Sequence, residues 1–459
     1  YKNMGILQLL DRVKIKLGID KSIFFTSCTR IIQAIGGVVA IVFVAKYLTG
    51  VEQGFYYTFG SIVAIQVFFE LGLNGIITQY VAHENSHLIW ESPVSVVGER
   101  RYLSRLSSLL HFSIKWYLCF AGILLLILVF VGFVFFNRYS NDDQVVWQLP
   151  WILLAIGTAL NLLLAPILAY LEGLGKVKDV AKIRLFQQSI GLFVICGGLV
   201  FGFHLYVLGV NCIITSLFLI FAIYFSDFRQ MLLRVWRESV VEKVDYKKEI
   251  FPYQWKIALS WISGYFIFQL FNPVLFATEG AVVAGQMGMT LAALNGVQAL
   301  SISWMSTKVP LYSGLIAKRQ FVQLDSIFNK TLKQSSFINV CLLIIMFVTI
   351  LVVRYFDIMV GGISIGDRFL SYLPLMFMMM AILLNQVVNS WAIYLRCHKK
   401  EPFLVNSVVG GGLCALSTIV LGRYFGILGM TGGYSVITLI MFFWAYRIFK
   451  IRKYEWHGE

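Results

Sequence analysis

Residues 46–75 read KYLTGVEQGFYYTFGSIVAIQVFFELGLNG. From Phe55 to Leu73 nearly every residue is apolar or small, as a helix crossing ~30 Å of hydrocarbon requires. Glu70 is the exception. A carboxylate inside a membrane helix costs ~2.5–3.5 kcal/mol on insertion scales. Arg30, in FFTSCTRIIQAIGGVV, poses the same problem one segment earlier.

The rest of the chain agrees with a membrane setting. Its 459 residues are 59% hydrophobic and 13% charged, where a soluble domain carries roughly 25% charged residues. Apolar segments fall at 22–48, 53–82, 109–137, 146–171, 183–203, 205–225, 250–275, 279–307, 334–356, 369–395, 402–422 and 426–447. The pattern predicts an all-α polytopic membrane protein of twelve transmembrane helices. The opening stretch, YKNMGILQLLDRVKIKLGIDKS, reads as an amphipathic basic helix lying on a membrane surface, not as a cleavable signal. None of the 7 cysteines has metal-site or disulfide-framework spacing.

The net charge of +15 is a topology signal rather than a nucleic-acid footprint. With the N-terminus inside, only Lys46, Arg138, Arg354, Arg368 and Arg423 of the 38 Lys and Arg residues face outward. Arg30 lies within a segment, and all the others fall on the inner side. Both termini are therefore expected in the cytoplasm.

The two halves read as repeats. Asn161 is followed nine residues later by Tyr170 and Leu171, and Asn385 nine residues later by Tyr394 and Leu395. The sixth segment of each half opens on Leu-Gly, at Leu208-Gly209 and Leu428-Gly429, and Gly54 aligns loosely with Gly285. Matches in one order point to internal duplication, the usual build of a transporter whose site lies between its repeats. The expected division is an interfacial segment 1–21, a six-helix lobe 22–225, a cytoplasmic linker 226–249 read as one amphipathic helix, a second six-helix lobe 250–447, and a tail 448–459.

The first two segments carry a family pattern: a small-residue helix ending in the Leu48 to Gly50 turn, an aromatic-Gly-x-aromatic-like stretch at Phe55 to Tyr57, and Glu70-Leu71-Gly72. Over residues 22–82 the chain resembles the O-antigen (polysaccharide) flippases of the multidrug/oligosaccharidyl-lipid/polysaccharide exporter superfamily. It lacks the proline often found after the first turn. It has Glu70 where many members have Asp, and no thirteenth or fourteenth helix as in the lipid II branch. The resemblance implies two pseudo-symmetric six-helix lobes in a V, in a bacterial cytoplasmic (inner) membrane. It implies transfer of an undecaprenyl-diphosphate-linked oligosaccharide from inner to outer leaflet by alternating access. The partners it implies are that lipid-linked substrate, membrane lipids and polysaccharide polymerase or ligase proteins. No cofactor or metal is expected.

Individual residues carry two readings each. Arg30 and Glu70 form a structural ion pair, or Arg30 lines a wet cavity and meets a diphosphate while Glu70 serves ion coupling or gating. Arg suits diphosphate because its planar fork bonds directionally and stays charged. Lys308, near the inner end of the eighth segment, either adds to the diphosphate site or snorkels to the headgroups. For sugar, the candidates are Trp261, Gln269, Asn272, Asn295, Gln298, Trp304, Asn385 and Asn389, amides and aromatic faces matching hydroxyls and apolar ring faces. The other reading makes the amides interhelical bonds and both tryptophans interface anchors. Pro166 and Pro273 are expected to kink their helices, and glycines 410–412 to permit close packing.

The alternatives are a drug/cation antiporter of the same superfamily and a membrane-embedded polysaccharide-processing enzyme. An antiporter typically carries its coupling carboxylate in the first helix, where this chain has Arg30. No Ser/His/Asp grouping, large catalytic loop or nucleotide motif supports an enzyme.

Overall fold

A computed structural model describes residues 21–140, 145–360, 363–398 and 400–458. Residues 1–20 of the expected interfacial segment 1–21 lie outside the described residues, as do the side chains of residues 21–28 and of Arg30. The first lobe contains α1 (Lys21–Tyr47), α2 (Gly50–Val63), α3 (Val67–Glu70), α4 (Leu73–Asn85), α5 (Arg100–Tyr139), α6 (Gln148–Gly173), α7 (Val177–Val200) and α8 (Tyr206–Tyr224). After α9 (Phe228–Trp236), the second lobe contains α10 (Phe251–Phe268), α11 (Phe271–Thr278), α12 (Ala281–Ser306), α13 (Val309–Ala317), α14 (Phe321–Tyr355), α15 (Tyr372–Arg396) and α16 (Leu404–Gly458).

Among the described residues, nine stretches are long and apolar enough to cross a membrane. In two of them α2 to α4, and α10 with α11, run on as single spans. Helices α1 and α12, of 27 and 26 residues, stand where the first and eighth crossings are expected. The α16 stretch is two spans, because Gly426 (φ 58) reverses it. Its arms, 404–425 and 427–458, lie side by side: Asn406 donates to the Met441 carbonyl, and Gly433 sits on Ser417. The nine apolar stretches thus give ten crossings, and α1 and α12 occupy the other two expected places. The last arm continues through Gly458, so the stretch expected as a tail beyond 447 is helical.

The lobes repeat one packing plan. In the first, α1 packs on α7, α5 on α6, α6 on α8 and α4 on α6; in the second, α10 packs on α16, α14 on α15, α15 on α16 and α12 on α15. The repeated residues do equivalent work. Asn161 accepts from Ser216 Oγ of α8 at 2.9 Å, and Asn385 donates to the Tyr434 hydroxyl of α16 at 2.9 Å. Tyr170 donates to the Leu106 carbonyl of α5, and Tyr394 to Asp325 of α14. The Leu-Gly match is not equivalent: Gly209 packs on Leu153 and Leu154 of α6, whereas Gly429 packs on Phe425 and Leu421 of its own stretch. Gly411, but not Gly412, brings α16 against the Ser263 backbone of α10.

Two spans are discontinuous. Thr49 and Glu52 start α2 with a reciprocal capping box. The span tightens into a 3-10 turn at Ala64–Gln66 and breaks after Glu70, where Leu71 (φ 48) and Gly72 (φ 67) are both left-handed. The seventh span breaks at Gln269 and Leu270. Pro273 explains this break, since its ring displaces the carbonyl four residues earlier, that of Gln269. Pro166, by contrast, lies within the unbroken α6.

Helix α5 begins at Arg100 and has 40 residues, roughly 60 Å at 1.5 Å per residue and far longer than the bilayer core. Its extension carries the linker, which is not one helix: α9 ends at Trp236, and an irregular stretch follows to Asp245. Ser104 Oγ accepts from the Val241 and Glu242 amides, Ser107 donates to the Glu238 carbonyl, and His111 stacks on Trp236. Among the described residues there are also two short strand pairs, β1 (Leu88–Trp90) with β2 (Val96–Gly98), and β3 (Met359–Val360) with β4 (Ile363–Ser364).

Candidate functional site: the seam between the lobes

The spans that meet across the lobes are the second with the seventh and eighth, and the first with the eighth. On the face away from the basic connections, Gly54 and Gly285 lie against each other. A Cβ on Gly54 would run into the Ala281 carbonyl, and one on Gly285 would come within 2.8 Å of the Gly54 amide. Residues aligned by the repeat touching each other is what a pseudo-two-fold axis between lobes produces.

A polar seal surrounds that contact. Gln53, 1% exposed, donates to the Gly285 carbonyl at 2.8 Å and the Arg368 carbonyl at 3.2 Å. Arg368, 3% exposed, donates from Nη2 to the Leu48 carbonyl at 2.6 Å and from Nη1 to Gln53 at 3.4 Å, while its Nε has no partner. Arg354 holds the loop carrying Arg368 through the carbonyls of Gly366, Phe369 and Leu370. Glu52 reaches His204 at 2.8 Å. From the sequence, Arg354 and Arg368 counted only as outward-facing charges. The signal available was two arginines in the longest outer loop.

Further along the seam, Asn272 donates to Ser61 Oγ at 2.9 Å, joining α11 to α2. Phe68 of α3 contacts the rings of Tyr265 and Phe266. Gly72 sits where a Cβ would strike the Ile257 side chain. At the basic face, Tyr80 donates to the Glu249 carbonyl at 2.5 Å. Arg105 bridges buried Glu84 at 3.0 Å and Glu249 at 2.6 Å, tying α4 and α5 to the entry of the second lobe. Burial raises the Glu249 pKa, but the Arg105 hydrogen bond and charge outweigh it, so the carboxyl sits below its ordinary value.

The candidate residues divide. Glu70 accepts from Asn74 Nδ2 at 2.8 Å, and the buried Tyr117 hydroxyl of α5 donates to Asn74 Oδ1 at 2.8 Å. Arg30 lies on α1, with its side chain outside the described residues. Trp261 is 46% exposed, on the stripe of α10 between Ile257 and Tyr265 that faces the break in the second span. On α12, the face meeting the first lobe at Gly285 and Gly288 continues past Ala292, Gly296 and Ala299, with exposed Asn295 at its flank. Trp304, nine residues after Asn295, falls on the opposite side of the helix, so one wall cannot contain both. Ser301, in the buried stripe, is stitched to α14 by Ser335 and Asn339. Asn272 and Asn385 are committed to bonds between helices. Gln269 and Gln298 are half-buried, and Asn389 and Lys308 are exposed.

No protein-family model matches the chain, and no curated protein matches it in sequence. Solved structures do. The lipid II flippase MurJ, in an inward closed conformation, matches over 93% of this chain and 87% of its own, with 13% identity and a TM-score of 0.58. The MATE multidrug transporter DinF-BH matches over 93% and 94%, with 12% identity and a TM-score of 0.56. An inward-facing multidrug resistance MATE family transporter of the MOP superfamily matches over 92% and 99%, with 13% identity and a TM-score of 0.52. At such identities the likeness concerns architecture: this chain has the helical membrane fold of MOP-superfamily transporters.

Proposed function

We propose that the chain is a flippase moving an undecaprenyl-diphosphate-linked oligosaccharide from the inner to the outer leaflet by alternating access. The moving units are the lobes 22–225 and 250–447, joined by the linker 226–249. The observation that carries the reading is a pseudo-symmetric seam closed on one face by Gly54, Gly285, Gln53 and Arg368, and interrupted by breaks in both facing spans. Breaks at membrane depth are tolerated where the backbone lines a cavity or protein. Arg30 gives the first lobe a cation for the diphosphate, with Lys308 at the inner end. Trp261, Asn295 and Gln298 give the second lobe surfaces for sugar. Both termini face the cytoplasm of a bacterial inner membrane. A cysteine at exposed Tyr424 then reacts with an impermeant thiol reagent from outside intact cells, and one at exposed Val241 does not.

Glu70 favours a second reading, a drug/cation antiporter, since an intramembrane carboxylate suits a cationic load. Reconstitution separates the two. The flippase reading expects transfer of a fluorescent undecaprenyl-diphosphate sugar between leaflets. Uptake of a cationic dye, with no transfer of that lipid, contradicts it.

A further inference from the structure

We propose that a cavity on the basic face binds a zwitterionic phospholipid whose headgroup carries a primary ammonium, the chemistry of an ethanolamine phospholipid. The site lies apart from the seam and does not depend on what is transported. The cavity, of about 540 Å³, opens where the β1–β2 pair, the turn from α6 to α7 and the turn from α8 to α9 meet. Sites for small molecules run to roughly 300–1,000 Å³.

Its lining carries both signs of charge. Glu91, Asp179 and Asp227 come from the three different segments, and Lys176 stands three residues before Asp179. Among the described residues none of these four is in an ion pair, although they share one cavity. Two cations on neighbouring stretches are engaged elsewhere: Arg184 meets Glu172 at 3.0 Å, and Arg229 lies over the Tyr224 ring at 4.3 Å. A surplus of carboxylates is the exception on a face rich in Lys and Arg. That face at large draws anionic headgroups, whereas a lone anion here would sit among three carboxylates. An ammonium joined to a phosphate a few bonds away answers both signs. The ammonium donates to the carboxylates, and the phosphate accepts from Lys176. Trp90, Phe225 and Phe228 add ring faces for the cation. Trp90 is held in place by its Nε1, which donates to Asn85 Oδ1 at 2.8 Å.

The surroundings make the ligand a lipid. The apolar helix α8 ends at Tyr224, and the next residue, Phe225, lines the cavity, which puts the opening at headgroup depth. Ile214, Leu217, Phe221 and Phe225 are all exposed and fall on one stripe of α8 and its end. Phe221 and Phe225 stack at 5.9 Å. This stripe gives acyl chains a surface leading away from the cavity.

The test uses the whole protein, stripped of lipid in detergent. Native mass spectrometry follows an equimolar mixture of phosphatidylethanolamine, phosphatidylcholine and phosphatidylglycerol with identical chains. One phosphatidylethanolamine should be retained about tenfold over the others, the worth of a charge-assisted hydrogen bond. Asp179→Asn with Asp227→Asn should erase that preference, and Glu91→Gln alone, at an exposed position, should lessen it. Lys176→Gln should weaken retention of all three lipids alike. Equal retention of the three by the parent overturns the inference, as does a preference for phosphatidylglycerol or phosphatidylcholine. A preference for phosphatidylethanolamine that survives the double change, or a Lys176→Gln protein that retains lipid like the parent, also overturns it. Free phosphoethanolamine that competes as well as the lipid would make the ligand a soluble amine phosphate and contradict the lipid assignment.

Discussion

The second span of the first lobe and the eighth span of the second occupy equivalent places but are finished differently. Both are tied to the third helix of their own lobe. In the first lobe the tie runs from Glu70 through Asn74 to Tyr117 of α5. In the second it runs from Ser301 to Ser335 and Asn339 of α14. The eighth span is continuous and its tie is neutral; the second span is broken and its tie contains a carboxylate. The duplicated plan supplies the scaffold, and the difference puts a carboxylate beside a backbone break at this place in the first lobe alone. At the matching depth the second lobe keeps neutral groups, and its seam charge, Arg368, lies in the seal on the far face.

The largest expected effect concerns the charge of the first lobe. Arg30→Ala should lower transfer of every diphosphate-linked lipid by roughly 10–100-fold, the range of a lost charge-assisted contact, in protein that still inserts. Arg30→Lys should recover part of it, because the charge remains without the fork. If Arg30 only neutralises Glu70, the double change Arg30→Ala with Glu70→Ala restores transfer. Restored transfer would remove the asymmetry proposed here.

Next comes the pseudo-axis. Gly54→Ala places a methyl into the Ala281 backbone, and backbone cannot yield as a side chain does. The far face should then stay open, seen as increased labelling of a cysteine at Val282, with transport lost. Gly412→Ala, with open space around it, should change neither.

A smaller effect compares the two repeat tyrosines. Tyr170→Phe loses a bond to a carbonyl, about 1 kcal/mol, whereas Tyr394→Phe loses one to the Asp325 carboxylate, about 1.5–3 kcal/mol. Thermal unfolding in detergent should rank Tyr394→Phe as the more damaging. Equal losses would mean that the charged version of the joint adds nothing.

The smallest is a pH effect at the linker. The carboxyl of Glu249 is lowered in the folded protein, so its contribution is fully present above the unfolded carboxylate value and is lost as pH falls through the lowered one. Protease cutting of the linker should be constant near neutral pH and rise only in acid. Arg105→Gln should bring cutting on at neutral pH.

Much of this architecture could be read from the sequence because it follows from spacing. Apolar lengths marked out the long helices, and Asn161 with Tyr170 against Asn385 with Tyr394 marked a repeat whose members make matching bonds. What escaped depends on partners distant in sequence. Leu71 carries no left-handed signal of its own; Ile257, nearly two hundred positions away, closes on the glycine beside it. Arg368 looks like any loop charge until Leu48 and Gln53 bury it. Asn272 and Asn385 have the chemistry of a sugar site, yet their amides join helices. Trp304 shares a helix with Asn295, and helical phase separates them. The polar extensions of α5 and α14 fell outside the apolar runs, so hydropathy placed their starts too late.

Leaflet transfer in reconstituted vesicles, comparing one oligosaccharide on two carriers, tests the central claim most directly. One carrier is undecaprenyl diphosphate and the other an uncharged polyprenyl lipid. The account predicts transfer of the first and little of the second, with Arg30→Ala erasing the difference. Equal transfer of both by the parent protein, or transfer of neither, would contradict it.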